Sequence, residues 1–384
     1  MYEGLGIWGY WVYLWGKKLN IYAPKFNIYK QQAVVYVKYN CACMGVIGHF
    51  KKMNYQENIN LIVTKEYISR NDIFDFTDLE TEDFYLKYYN KFSKLLEENC
   101  KISSLTSIYF FFENSKLSNA VAESKNRNRY IKISNALILS LHNNLFVKSK
   151  KIFQNQKIST LYKSLLTEID LSELMLESAI NFIFYHEFRH ILQHEEREFN
   201  FEEKRSECKV FDFNRHLYEY DSDLFGAWYV MDNAFTTFKK LNDKNKTPEN
   251  LSKLFYVSIS SIIIVLLLFY YDKIDEKLIE KEIEKFYTKK NKHPHTLVRI
   301  SYIIEHFYQN IESNYKKIDL VNVMKYSFEI TNAFFDDDKF VREYLILFAE
   351  EWENINCYLK ILADGFSSNE VILNTIEKYK NALQ

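Results

Sequence analysis

Apolar residues fall three and four apart along most of the chain, the spacing that lines one face of a helix, and they leave that pattern in few places. From about residue 77 to 100, Leu86, Phe92, Leu95 and Leu96 predict a helix. Two short runs rich in aromatic and β-branched residues follow. Ile108-Tyr109-Phe110-Phe111-Phe112 and Tyr130-Ile131-Lys132-Ile133 read as strands with a polar loop between them. Asp170-Leu171-Ser172-Glu173 has the form of a capped helix start, and Leu174, Ala179, Phe182, Ile183 and Ile191 then recur at helical spacing, predicting one long helix. Residues 254–271 contain no charge over eighteen positions, the lower limit for a membrane span. Ser258, Ser260 and Ser261 interrupt that run, and a helix buried on all sides in a helical protein reads the same way. A buried helix is the expectation, with membrane association through 254–271 as the alternative. Residues 297–384 read as several amphipathic helices.

Composition supports a mainly helical α+β fold, since only 8 glycines and 3 prolines punctuate 384 residues. Fifty basic residues face 51 acidic ones. That balance leaves no electrostatic footprint for nucleic acid or an anionic membrane surface. The five cysteines are odd in number and scattered, unlike a secreted disulfide framework. Cys41-Ala42-Cys43 lacks a second half that would complete a metal site, so these read as ordinary thiols. Glu3 precedes the apolar run of residues 4–16 where a secretory signal would carry basic residues, so a cytoplasmic location is expected. Residues 1–50 are unusually rich in glycine and tryptophan and read as a separate segment, with Ala33-Val34-Val35-Tyr36-Val37 as a strand.

Candidate chemistry sits on the long helix, in His186-Glu187-Phe188-Arg189-His190. Histidines four apart share one helix face, so both rings can reach one zinc ion at roughly 2.0–2.1 Å. Glu187, directly after the first histidine, is placed to move a proton for a water attacking beside that ion. A bland alternative exists, in which the motif is only a charged face of an amphipathic helix. Arg189 is unusual inside such a motif and is expected to extend outward, keeping its head in water. His194 is a tempting third ligand, but eight residues of helical rise put it about 12 Å from His186. Glu219 is the better one. It follows His190 after 28 intervening residues, room for a loop and a returning helix, and Asp223 one turn further can fix the tautomer of a zinc-bound histidine.

With Glu219-Tyr220-Asp221-Ser222-Asp223 downstream of HExxH, the chain resembles the HtpX and CaaX-prenyl-protease class of gluzincin metallopeptidases, with Ser222 where the family carries alanine. Asn119-Ala120-Val121-Ala122, followed by Tyr130-Ile131-Lys132-Ile133, is similar to the family's Asn-Ala-x-Ala stretch and edge strand. His293-Pro294-His295 through Arg299-Ile300 is similar to its late His-Pro…Arg-Ile motif. The resemblance implies a zincin-like core over residues 51–310, followed by a C-terminal helical region at 311–384. It implies a Zn2+ site of His186, His190 and Glu219, with Asp223 behind it and Glu187 as the proton carrier. His293 and Arg299 would stabilise an oxyanion. Asn119, Ala120 and residues Tyr130, Ile131, Lys132 and Ile133 would hold an extended protein or peptide substrate. The family's membrane-embedded members carry several spans, so this chain looks more like soluble relatives, a phage-exclusion branch among them. The expected activity is zinc-dependent endopeptidase, against a non-catalytic zinc protein or a metal-free helical interaction protein.

Overall fold

The structure is a computed structural model that describes residues 54–64, 68–103, 105, 108–125, 128–196, 211–272, 285–314, 319–336 and 339–382. The N-terminal segment to residue 50, its expected strand, and Cys41, Cys43 and Cys208 lie outside the described residues.

Two helices lead in, α1 (Tyr55–Thr64) and α2 (Glu82–Ser103). The helix expected from residue 77 starts five residues later. Asp75 accepts the Thr77 amide at 3.1 Å, and Asp78 adopts φ 64°, a left-handed conformation that a helix cannot carry through. Three strands follow: β1 (Ile108–Glu113), β2 (Ala120–Lys125) and β3 (Asn128–Ser134). Their order is β1-β3-β2, with β1 parallel and β2 antiparallel to β3. Phe110 and Phe112 pack one sheet face on Tyr89, Phe92 and Tyr55, so the sheet rests on α1 and α2.

This order corrects the expectation for Tyr130, Ile131, Lys132 and Ile133. They lie in the central strand, whose hydrogen bonds are taken on both sides, so they cannot align an added peptide. The described edge near the motif helix is β2, which begins at Ala120 and packs beside that helix.

A short helix α3 (Asn135–Ser140), capped by Ser134, runs through a π-helical turn (Leu141–Val147) into α4 (Lys148–Gln154) and α5 (Gln156–Leu166). The motif helix α6 (Leu171–Glu196) then starts where expected. Asp170 accepts the amides of Ser172 at 2.8 Å and Glu173 at 3.3 Å. Asp212 caps α7 (Phe213–Lys240) in the same way, through the amides of Asn214 and Arg215. Behind both lies α8 (Pro248–Asp272).

Among the described residues, Pro248–Phe269 alone is long and apolar enough to cross a membrane, and 94% of its apolar window is buried inside the protein. Its serines explain how it sits there. Ser258 pairs with Ser178 at 3.3 Å, Ser261 donates to the Met175 carbonyl, and Ser260 donates to Ser327 O at 3.1 Å. Each hydroxyl is satisfied, while each buried Leu or Ile contributes about 1.5–3 kcal/mol.

The remaining helices are α9 (Thr296–Asn314), α10 (Leu320–Phe334), α11 (Lys339–Glu350), α12 (Trp352–Ser368) and α13 (Glu370–Ala382). The boundary expected at 310/311 falls inside α9, and the C-terminal helices pack onto the body. Tyr379 of α13 donates to Asn99 of α2 at 3.0 Å and meets the Tyr229 hydroxyl of α7 at 2.6 Å.

Close approach of α6 and α7 depends on Gly226. A Cβ there would fall 2.9 Å from the Phe182 carbonyl oxygen, a backbone atom that cannot move aside cheaply. Gly226→Ala is expected to lower unfolding free energy by about 1–3 kcal/mol, read from the urea midpoint at constant m-value; an unchanged midpoint would show that the helices tolerate a wider spacing.

Candidate metal centre

His186, Glu187, Arg189, His190 and Gln193 project from α6, and Glu219, Asp221, Ser222 and Asp223 from α7. Arg189 does not extend to water as expected. It is fully buried, and its Nε and Nη2 donate to Asp221 Oδ2 at 2.7 Å and Oδ1 at 3.1 Å. The ring of Phe225 lies 5.2 Å below the guanidinium. A cation inside this motif is therefore one half of a bridge between the two helices, and its unusual position was itself the signal for a buried acidic partner.

The bridge brings the expected ligands together. His186 Nε2 and His190 Nε2 lie 3.2 Å apart. Glu219 carboxylate oxygens stand 3.6 Å from the first and 3.4 Å from the second. Bonds of 2.0–2.1 Å in a tetrahedral site imply donor separations of roughly 3.3–3.4 Å, so these three side chains match the donor set and spacing of a zinc ion. Among the described residues they form the one cluster that could hold a metal ion, and His194 is not part of it.

Hydrogen bonding fixes which ring nitrogens face inward. Gln193 donates its amide NH2 to Asp221 Oδ2 at 2.7 Å and Tyr218 O at 3.1 Å. Its Oε1 must then be the atom 2.9 Å from His190 Nδ1, so that nitrogen carries the proton. His186 Nδ1 lies 2.9 Å from Asp223 Oδ1, an acceptor only, a charge contact that falls outside hydrogen-bond alignment but still favours the proton on that nitrogen. With Nδ1 of each ring turned to these acceptors, both Nε2 atoms face one point; without metal the His190 Nε2 carries a proton toward Glu219 and His186, and a bound cation would take that proton's place. Two of the carboxylates beside the cluster are already matched, Asp221 by the Arg189 guanidinium and Asp223 by that of Arg299.

Asp223 is held on its other side by Arg299. The guanidinium Nε and Nη2 each donate at 2.7 Å, and the Tyr302 hydroxyl donates a third bond. Burial alone would raise the Asp223 carboxyl, but Arg299 and then His186 outweigh it and hold the group at about 2. This gives Arg299 a task different from the expected oxyanion contact, since its fork orients Asp223. His293 does reach the centre. Its Nδ1 lies 3.1 Å from Glu219 Oε1, and its side chain is 54% exposed. The Glu219 carboxyl, raised by burial, is carried well below its ordinary value by His293 and His190. Asn119 enters β2, with its backbone tied to Ser134 by two bonds of 2.9 Å.

Gln193, Asp221, Ser222 and Tyr302 are supporting residues that the motif reading missed. Gln193 and Tyr302 had a local signal, each three residues beyond a candidate residue, His190 and Arg299, on the same helix. No protein-family model, characterised protein or solved structure matches this chain.

Two outcomes follow from this geometry. Arg189→Met leaves the Asp221 carboxylate buried without a guanidinium to balance its charge, and a loss of about 3–5 kcal/mol is expected by denaturant unfolding, largely recovered when Asp221→Leu is added; a loss below about 1 kcal/mol would remove the bridge from its structural role. In the metal-free protein, burial lowers the His190 imidazole but the Glu219 carboxylate overrides it, pushing it up to about 9. Zinc must displace that proton at neutral pH, so affinity should rise about tenfold per pH unit and level off above about pH 9. Calorimetric affinity that is flat from about pH 6 to 8 would contradict it.

Proposed function

We propose that this chain is a zinc-dependent endopeptidase that hydrolyses peptide bonds in a protein substrate. The observation that carries this reading is the convergence of two Nε2 atoms and the Glu219 carboxylate at tetrahedral spacing, with Glu187 on the same helix directly after His186. The motif helix, the returning carboxylate helix and the edge strand beside them support a zincin-like core of the gluzincin type.

A zinc ion held there supplies Lewis-acid polarisation of a scissile carbonyl and brings the pKa of a water toward neutrality. The other steps belong to the protein. Glu187 takes the proton of the attacking water and returns it to the leaving amine. His293, half exposed at the rim, can donate a hydrogen bond to the oxygen that gains charge. Asp223, fixed by Arg299 and Tyr302, keeps the His186 tautomer with its lone pair inward. Among the described residues no strand pairs with the outer edge of β2, whose backbone groups are then available to an extended substrate. A reducing, cytoplasmic setting fits the free thiols Cys100 and Cys357.

Glu187→Gln keeps the three metal donors and removes the proton carrier. It should bind zinc in the wild-type ratio while kcat falls by about 10²–10⁴-fold. Mass-spectrometric comparison of cleaved proteins in cells expressing wild type and this variant reads the outcome. Identical cleavage in both would exclude Glu187 from the chemistry, and full zinc occupancy with no cleavage by wild type would favour a non-catalytic zinc protein.

A further inference from the structure

One buried polar side chain outside the donor cluster joins the C-terminal helices to the loop that carries His293. His216 lies on α7, three residues before Glu219, with no solvent exposure. Its Nε2 is 2.7 Å from the Asn291 carbonyl oxygen, and its Nδ1 is 2.7 Å from the Tyr358 hydroxyl of α12. A carbonyl only accepts, so Nε2 carries the proton. Burial holds the imidazole below its ordinary pKa, which leaves Nδ1 as the acceptor for the Tyr358 O–H. Both bonds therefore run in one direction, from the α12 hydroxyl through the ring to the loop backbone.

Two residues past that carbonyl, the chain places His293 Nδ1 3.1 Å from Glu219 Oε1. Beyond His293 the loop is anchored again. Pro294 and His295 are buried, and His295 packs among Phe286, Tyr287 and Tyr344 while its Nδ1 accepts the Leu297 amide at 3.2 Å. His293 thus projects from a segment pinned on both sides, and the pin before it is His216.

We infer that Tyr358 and His216 form a latch that positions His293 against Glu219, making the C-terminal helix α12 part of the site although it donates no residue to the cluster. The catalytic consequence rests on the peptidase reading, whereas the latch itself is tested without turnover, so the two can fail separately.

Tyr358→Phe in the full chain removes one hydroxyl and keeps the ring, and is the milder companion to His216→Phe. Loss of one buried hydrogen bond shifts a local opening equilibrium by about tenfold. Hydrogen exchange should therefore quicken by about that factor in residues 288–293 of Tyr358→Phe, with no change in residues 180–192 of α6. In histidine-labelled protein, the His293 ring resonances, assigned by their loss in His293→Ala, should move in Tyr358→Phe despite the distance along the chain. Unchanged exchange in 288–293, an equal rise in both segments, or an unmoved His293 resonance would each overturn the latch.

Discussion

A guanidinium without access to water sits in the middle of the motif helix, and the arrangement around it follows from that constraint. Arg189 is tolerable there because Asp221 offers both carboxylate oxygens from the neighbouring helix, and breaking a pair of this kind strands a charge in the interior. The bridge fixes α6 and α7 in rotation and in height, and Gly226 lets the backbones come close enough for it to form. Once that register is set, Glu219 and Asp223, one turn apart on α7, fall opposite His190 and His186.

The same register explains why so many charges can share a small volume. Asp221 is matched by Arg189 and Asp223 by Arg299, so each carboxylate that does not face the centre has its own guanidinium. Glu219 keeps only imidazole neighbours at close range, with the Arg299 guanidinium at 3.9 Å, and is left as a donor. Gln193 and Asp223 then set the two ring tautomers. The supporting shell thereby determines what the cluster presents: two Nε2 atoms and a carboxylate facing one point, with a proton on His190 that a metal ion would have to displace.

Much of this was legible in local pattern. The start of α6 at Asp170, the buried character of residues 254–268, and the pairing of HExxH with Glu219 and Asp223 all depend on spacing within one or two helices, where periodicity and capping chemistry act directly. Other features depend on partners far along the chain. β2 is short and half polar, Ala-Val-Ala-Glu-Ser-Lys, and becomes a strand through its pairing with β3. Which strand is central is likewise a property of the assembled sheet, so Tyr130 to Ile133 carried the expected strand signal and the wrong place in it. Arg189 was read alone, as a cation that should seek water, because its partner lies 32 positions away. Tyr302 reaches Asp223 across 79 positions and Tyr358 reaches His216 across 142, so although Tyr302 and His216 lie three residues from Arg299 and Glu219, their partners are set by tertiary contact.

His186, His190 and Glu219 form a cluster that could hold a metal ion, and the proposed occupant is one zinc ion. X-ray absorption at the zinc edge, on full-length protein purified without added chelator, tests it most directly. One zinc per chain is expected, with two imidazole nitrogens at about 2.0–2.1 Å and oxygen completing the shell, a signature lost together with stoichiometric metal in His190→Ala. A sulfur-containing shell, or an unaltered spectrum in that variant, would place the metal elsewhere and contradict the account.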